Sequence, residues 1–160
     1  VIIAGFAMTL YTSGKRKAHD IDILLTKKDL KIFARRLSCK PSLRLITKGA
    51  YRNRDYGFET TYKGQKVEAT AGYPEIRMKK RKMKKIFEHK KQITFKGIQW
   101  NVAPIEEIIV LKVALMRNKD KKDRAILNKM KINLPLLKEI ASDCEMYEKV
   151  INNVKRRKRN

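Results

Sequence analysis

The chain of 160 residues carries 40 Lys and Arg against 16 Asp and Glu, a formal charge of +24, with 42% hydrophobic residues. That length suits one domain, or a core with an appendage, able to bury about 70% of its unfolded surface without disulfides. No apolar run approaches the roughly 20 residues of a membrane span and no signal-peptide pattern is present, while a charge far beyond what solubility requires points to polyanionic partners, with a lysine-rich proteome as the bland alternative.

Val1 to Ala4 reads as a buried strand, Gly5 breaks it, and Phe6 to Ser13 can form a short helix stopped by Gly14. Because the chain starts on a strand rather than on Met, a preceding N-terminal piece is expected. In Asp20-Ile21-Asp22-Ile23, strand alternation sends two carboxylates, about 7 Å apart, to one side and two isoleucines to the other. Paired acids on one face attract a hard cation. Thr26 followed by Asp29 is a capping-box-like start, and Leu30, Phe33, Ala34 and Leu37 recur at helical spacing, predicting a helix over 27–38 that Cys39-Lys40-Pro41 ends.

Leu43 and Leu45 alternate with polar residues as in a strand, and Gly49 to Asp55 reads as a polar loop. Tyr56 to Tyr62, the Lys63-Gly64-Gln65 turn and Lys66 to Ala71 form a hairpin. In its second strand Glu68 faces away from Val67 and Ala69, and Glu59 on the first strand competes for the same role. From Arg77 to Lys91, nine of fifteen residues are Lys or Arg, with Met78, Met83, Ile86 and Phe87 at loosely helical spacing. This is a basic helix or a long loop, either a solvated face or a phosphate-backbone track. His89 has no metal partner at helical or hairpin spacing.

Ile93 to Val102 forms a second hairpin around Gly97, and Pro104 opens a helix whose first turn holds Glu106 and Glu107. Lys112 falls on the apolar face of that helix, where an ammonium either snorkels outward or meets a buried anion. Asn133 before Pro135 caps a terminal helix with a stripe of Leu136, Leu137, Ile140, Cys144, Tyr147, Ile151 and Val154. Lys155 to Arg159 is a basic tail, read as disordered. Cys39 and Cys144 have no metal or redox spacing and read as reduced, partly buried thiols of a cytoplasmic protein.

Ile3-Ala4-Gly5-Phe6-Ala7 followed by Arg16-x-x-x-Asp20-Ile21-Asp22-Ile23-Leu24-Leu25 resembles the signature of the nucleotidyltransferase superfamily: an apolar strand, a Gly-Gly or Gly-Ser turn, then Asp-x-Asp between apolar neighbours. The branch it looks most like is the small bacterial and archaeal one that includes antibiotic nucleotidyltransferases and abortive-infection toxin transferases. Val67-Glu68-Ala69 is similar to the strand that brings the third carboxylate, and Leu111 to Arg117 with Lys122-Asp123 resembles the helix-loop segment that approaches the triphosphate. Two departures stand out. Ala4 replaces the first glycine, and Ile126 stands near where a second aspartate after Lys122-Asp123 is usual.

The resemblance implies an α+β nucleotidyltransferase fold, a mixed β-sheet flanked by helices, with a catalytic core in 1–103 and a C-terminal helical segment in 104–160. It implies that Asp20, Asp22 and Glu68 are the catalytic and metal-binding acids for Mg²⁺ or Mn²⁺, and that Gly5, Arg16, Lys112 and Arg117 hold the nucleoside triphosphate, ATP or another. The expected reaction moves a nucleoside monophosphate to a hydroxyl and releases pyrophosphate. The charge favours RNA, such as a tRNA end, over a cationic drug as acceptor, bound through residues 77–91 and 155–159. An antitoxin is a further expected partner. The opposing expectation is a noncatalytic nucleic-acid-binding protein on a degenerate fold of this type.

Overall fold

The computed structural model describes residues 1–48, 51–72, 80–115, 121–127, 129–142, 148 and 150–152. In chain order these form β1 (Ile2–Ile3), α1 (Ala4–Tyr11), β2 (Asp20–Leu24), α2 (Lys27–Arg36), β3 (Ser42–Lys48), β4 (Tyr51–Tyr62) and β5 (Gln65–Thr70). There follow α3 (Lys80–Glu88), β6 (Lys91–Phe95), β7 (Ile98–Val102), α4 (Ile105–Leu115), α5 (Lys121–Leu127) and α6 (Leu134–Ala141). Among the described residues one mixed sheet of seven strands runs in the order β3-β4-β5-β2-β1-β7-β6. The protein is therefore α+β, a mixed sheet flanked by helices. β2 is antiparallel to β1 and parallel to β5, and β1 is parallel to β7, so the acidic strand sits at the centre.

Local chemistry explains most boundaries. The β4–β5 and β6–β7 hairpins turn on Lys63-Gly64 and Lys96-Gly97, with φ of 48° and 76°, and 51° and 74°. Two successive left-handed residues give the tight turn whose twist matches that of the flanking strands. At the start of α2 the Thr26 hydroxyl accepts from the Asp29 N–H at 3.1 Å and donates to its carboxylate at 2.7 Å. The helix stops two residues earlier than periodicity predicts, because Ser38 turns left-handed (φ 53°) and the Cys39 N–H closes on the Ala34 carbonyl at 2.8 Å.

Two expectations need correction. The turn after β1 does not form on Gly5: Ala4 carries the left-handed backbone, φ 52°, and α1 starts there rather than at Phe6. The stretch up to Asp55 is not a loop from 51 onward, because β4 begins at Tyr51 and its first seven residues pair with the whole of β3, Lys48 opposite Tyr51 and Ser42 opposite Gly57. Cross-strand pairing with the adjacent β3 supplies the backbone partners there, and polar composition does not signal it.

The larger core joins Ile2, Ile3, Met8, Leu10 and Leu24 to α4, Leu127, Leu137 and Ile140. Every residue of α4 from Ile105 to Val113 is buried, so it is a central helix and not an amphipathic one. Glu106 and Glu107 stand in the first turn of α4 as expected, and Glu106 also accepts the Asn133 N–H at 2.7 Å, while the Asn133 side chain accepts the Leu136 N–H at 3.2 Å and caps α6. The end of the basic run is a helix: α3 is pinned by fully buried Ile86 and by Lys85, 3.3 Å from Glu139 of α6. A second, smaller core lies under α2, where Leu30 and Ala34 pack with Phe58 and Ala69. Arg117, Cys144, Tyr147, Val154 and the tail 155–159 lie outside the described residues. No helix among the described residues is long and apolar enough to cross a membrane.

Candidate acidic face and buried charge cluster

Strand register decides which side chains meet. Asp22 lies opposite Glu68 across the β2–β5 pair, and Glu68 lies opposite Glu59 across β5–β4. Directly paired residues share a sheet face, with Cβ atoms about 4.5–5.5 Å apart in the antiparallel case. Asp22, Glu68 and Glu59 thus form one row across three strands, and Asp20 is on the same face one pleat away. The intervening residues Ile21, Ile23, Val67, Ala69 and Phe58 point to the other face, the last two into the core under α2. Asp20, Asp22 and Glu68 are half-buried and Glu59 is exposed, so the row is open to solvent. β1 brings its end to the same place, with Ile3 opposite Asp22 and the Ala4–Gly5 turn next along.

Lys66 belongs to this face as well. It lies opposite Asp20, and its ammonium is 2.9 Å from the Glu59 carboxylate. The hydrogen bond to Glu59, then that carboxylate's charge, with Glu68 and Asp20 adding, raise the Lys66 pKa above its ordinary value. Among the described residues no three His, Cys, Asp or Glu side chains converge closely enough to hold a metal ion. The row is aligned by backbone register, with Glu59 turned toward Lys66.

Of the three described candidates for nucleotide binding, Arg16 and Lys112 meet at the Asp123 carboxylate, and Gly5 meets Arg16. The Lys112 ammonium lies 2.8 Å from Asp123 Oδ2, with side-chain exposures of 3% and 4%. Arg16 Nε donates to Asp123 Oδ1 at 3.1 Å and Nη2 to Oδ2 at 3.3 Å, while Nη1 donates to the carbonyls of Lys17 at 2.9 Å and Gly5 at 3.3 Å. Burial alone would raise the Asp123 pKa; the hydrogen bonds and charges of Lys112 and Arg16 outweigh it and hold the carboxyl below its ordinary value. The cluster ties the loop after α1 to α4 and α5. Lys112 does not snorkel, and the Arg16 side chain is 25% exposed.

A Cβ on Gly5 would come within 3.3 Å of Arg16 Nη1, so the guanidinium would have to give by a few tenths of an ångström. Nearby, the Tyr11 hydroxyl donates to the Ala103 carbonyl at 2.9 Å, and burial, then the charges of Glu106 and Glu107, push its phenol above the ordinary range. The sequence carried a signal for the charge cluster, since a lysine on an apolar helix face demands a buried anion. No protein-family model matches this chain, and no curated protein matches it.

Proposed function

We propose that the chain is a metal-dependent nucleotidyltransferase built on the nucleotidyltransferase fold, moving a nucleoside monophosphate from a nucleoside triphosphate to a hydroxyl acceptor, with RNA favoured by the +24 charge. The observation that carries this reading is the row Asp22–Glu68–Glu59. Glu68 has a carboxylate directly opposite it on both neighbouring strands. Like charges directly opposite one another are an unfavourable placement in a sheet. Hard oxygen donors on an open face suit Mg²⁺ or Mn²⁺, and Asp20, Asp22 and Glu68 are the residues that would hold it. When bound, such an ion neutralises triphosphate charge and polarises the phosphoryl oxygen.

The remaining roles belong to the chain itself. The Ala4–Gly5 turn beside Asp22 offers backbone to a phosphate, and Arg16, held by Asp123, keeps its guanidinium charge at that turn. Lys112 acts at one remove, by holding Asp123 in place. Arg117, outside the described residues, keeps its expected role as a phosphate ligand. Binding of a fluorescent ATP analogue tests the reading. It should require Mg²⁺ or Mn²⁺ and disappear in Asp22→Ala; binding that ignores both metal and the substitution rejects it.

One observation favours a second reading, a noncatalytic nucleic-acid-binding protein. Lys66 already supplies a cation to Glu59 and lies opposite Asp20, as expected of acids that serve only to balance charge. Under that reading Asp22→Ala leaves RNA affinity intact, and no nucleotide binds at any metal concentration.

A further inference from the structure

We propose that the outward face of α2 is a docking surface for the phosphodiester backbone of RNA, on the side of the sheet opposite the carboxylate row. The choice of RNA among polyanions rests on the transferase reading; the cationic track itself does not. Residues four apart stack along a helix, so the exposed side of α2 carries two columns: Lys27, Lys31 and Arg35, and beside them Lys28, Ile32 and Arg36. All five cations are exposed, and among the described residues none pairs with an acid. The helix's single acid, Asp29, is bound to Thr26 at the cap. Ile32, 38% exposed, offers an apolar contact between the columns.

Two features separate this face from an ordinary solvated one. Lys27 and Lys28 occupy the first turn, where the helix dipole already places positive charge, an arrangement that helix stability alone disfavours. Asp29 in the same turn, bonded to Thr26, offsets one of these two charges, so the first turn keeps a net +1 in addition to the helix dipole. The ten-residue helix is about 15 Å long, and a nucleic-acid strand carries one charge per roughly 3.4 Å of axis, so the columns match about four phosphates. The opposite side of α2 packs through Leu30 and Ala34 on Phe58 and Ala69, which point away from Asp22, Glu68 and Glu59. RNA held on α2 leaves the carboxylates uncovered, so holding and chemistry are separable.

The test is anisotropy of a labelled single-stranded RNA oligonucleotide across a salt series, with no nucleotide or metal present. Replacing Lys27, Lys31 and Arg35 by Gln should lower the salt slope by about 2 and weaken binding roughly 50-fold near ~0.15 M salt, at about 0.7 of slope per single-strand phosphate contact. A control with Lys96, Lys129 and Lys138 replaced by Gln removes the same charge from other exposed positions and should cost only a few-fold. Equal losses in both triples, or none in the first, would overturn the proposal. So would phosphatidylserine vesicles whose capture depends on α2 while RNA binding does not. Lys27→Gln with Lys28→Gln should weaken RNA binding while holding or raising Tm; a lower Tm with unchanged RNA affinity overturns it. Because the assay contains no triphosphate, loss of the transferase reading would leave its outcome unaffected.

Discussion

Replacing Asp123 by Ala removes the anion between two cations, only one of which can escape. Lys112 is 3% exposed on a helix buried from Ile105 to Val113, so its ammonium would stay in the core with the Asp123 carboxylate gone. Arg16 is 25% exposed and can turn its guanidinium to water. Removing one partner of a buried ion pair costs about 3–5 kcal/mol, and the mobility of Arg16 puts this case at the lower end, about 3 kcal/mol. For a chain of this size that is a fall of about 6–12 °C in Tm, against a total stability of about 5–15 kcal/mol. Thermal and urea unfolding followed by circular dichroism would measure it. Pairing Asp123→Leu with Lys112→Met should recover most of the loss, since both buried charges are then gone. A loss below about 1 kcal/mol in Asp123→Ala, or a double variant worse than the single, would refute the argument that Lys112 is held in the core by this carboxylate.

The pH dependence has a definite sign. The Asp123 carboxyl is held below its ordinary value in the folded protein, so its stabilisation is complete above the unfolded value near ~3.9 and is lost as pH falls through the folded one. Wild type and Asp123→Asn should therefore differ in urea midpoint at neutral pH and converge on acidification; a gap that persists at the acid end contradicts this. Tyr11 works in the opposite direction: its raised phenol pKa makes stability fall as pH climbs past about 10, and Tyr11→Phe should flatten that limb while costing about 1 kcal/mol for the lost bond to Ala103. Ala4→Gly should stabilise by up to about 1 kcal/mol, because a left-handed alanine is strained by about 1–2 kcal/mol and glycine's extra unfolded entropy returns part of that; a destabilised variant would argue against the φ of 52°. Glu68→Gln should remove any Mg²⁺-induced rise in Tm, since it takes one hard oxygen donor from the set; a rise that survives the substitution contradicts the metal role.

Much of this arrangement was legible in the chain. Alternation in Asp20-Ile21-Asp22-Ile23 fixed which side the acids face, and the same rule placed Glu68 opposite Val67 and Ala69 before its partner strand was known. Thr26, Gly64, Gly97 and Asn133 each sit where their local chemistry predicts. What stayed hidden depended on pairing across distance. Glu59 looked like a rival to Glu68 and stands beside it in the row, because only register shows that the two strands align them. Lys66 was read as part of a strand, and its position against Asp20 and Glu59 follows from two separate pairings. For Lys112 the need for an anion is plain from the sequence, but which acid meets it follows only from the packing of α5 beside α4. The extension of β4 back to Tyr51 had no composition signal at all.

Transfer of label most directly tests the central claim. The protein is incubated with Mg²⁺, each labelled nucleoside triphosphate in turn and total cellular RNA, beside the Asp22→Ala variant. The account predicts label fixed covalently to RNA from at least one nucleotide, with none in the variant. RNA that binds while no nucleotide ever transfers label, or label that survives the loss of Asp22, would contradict it.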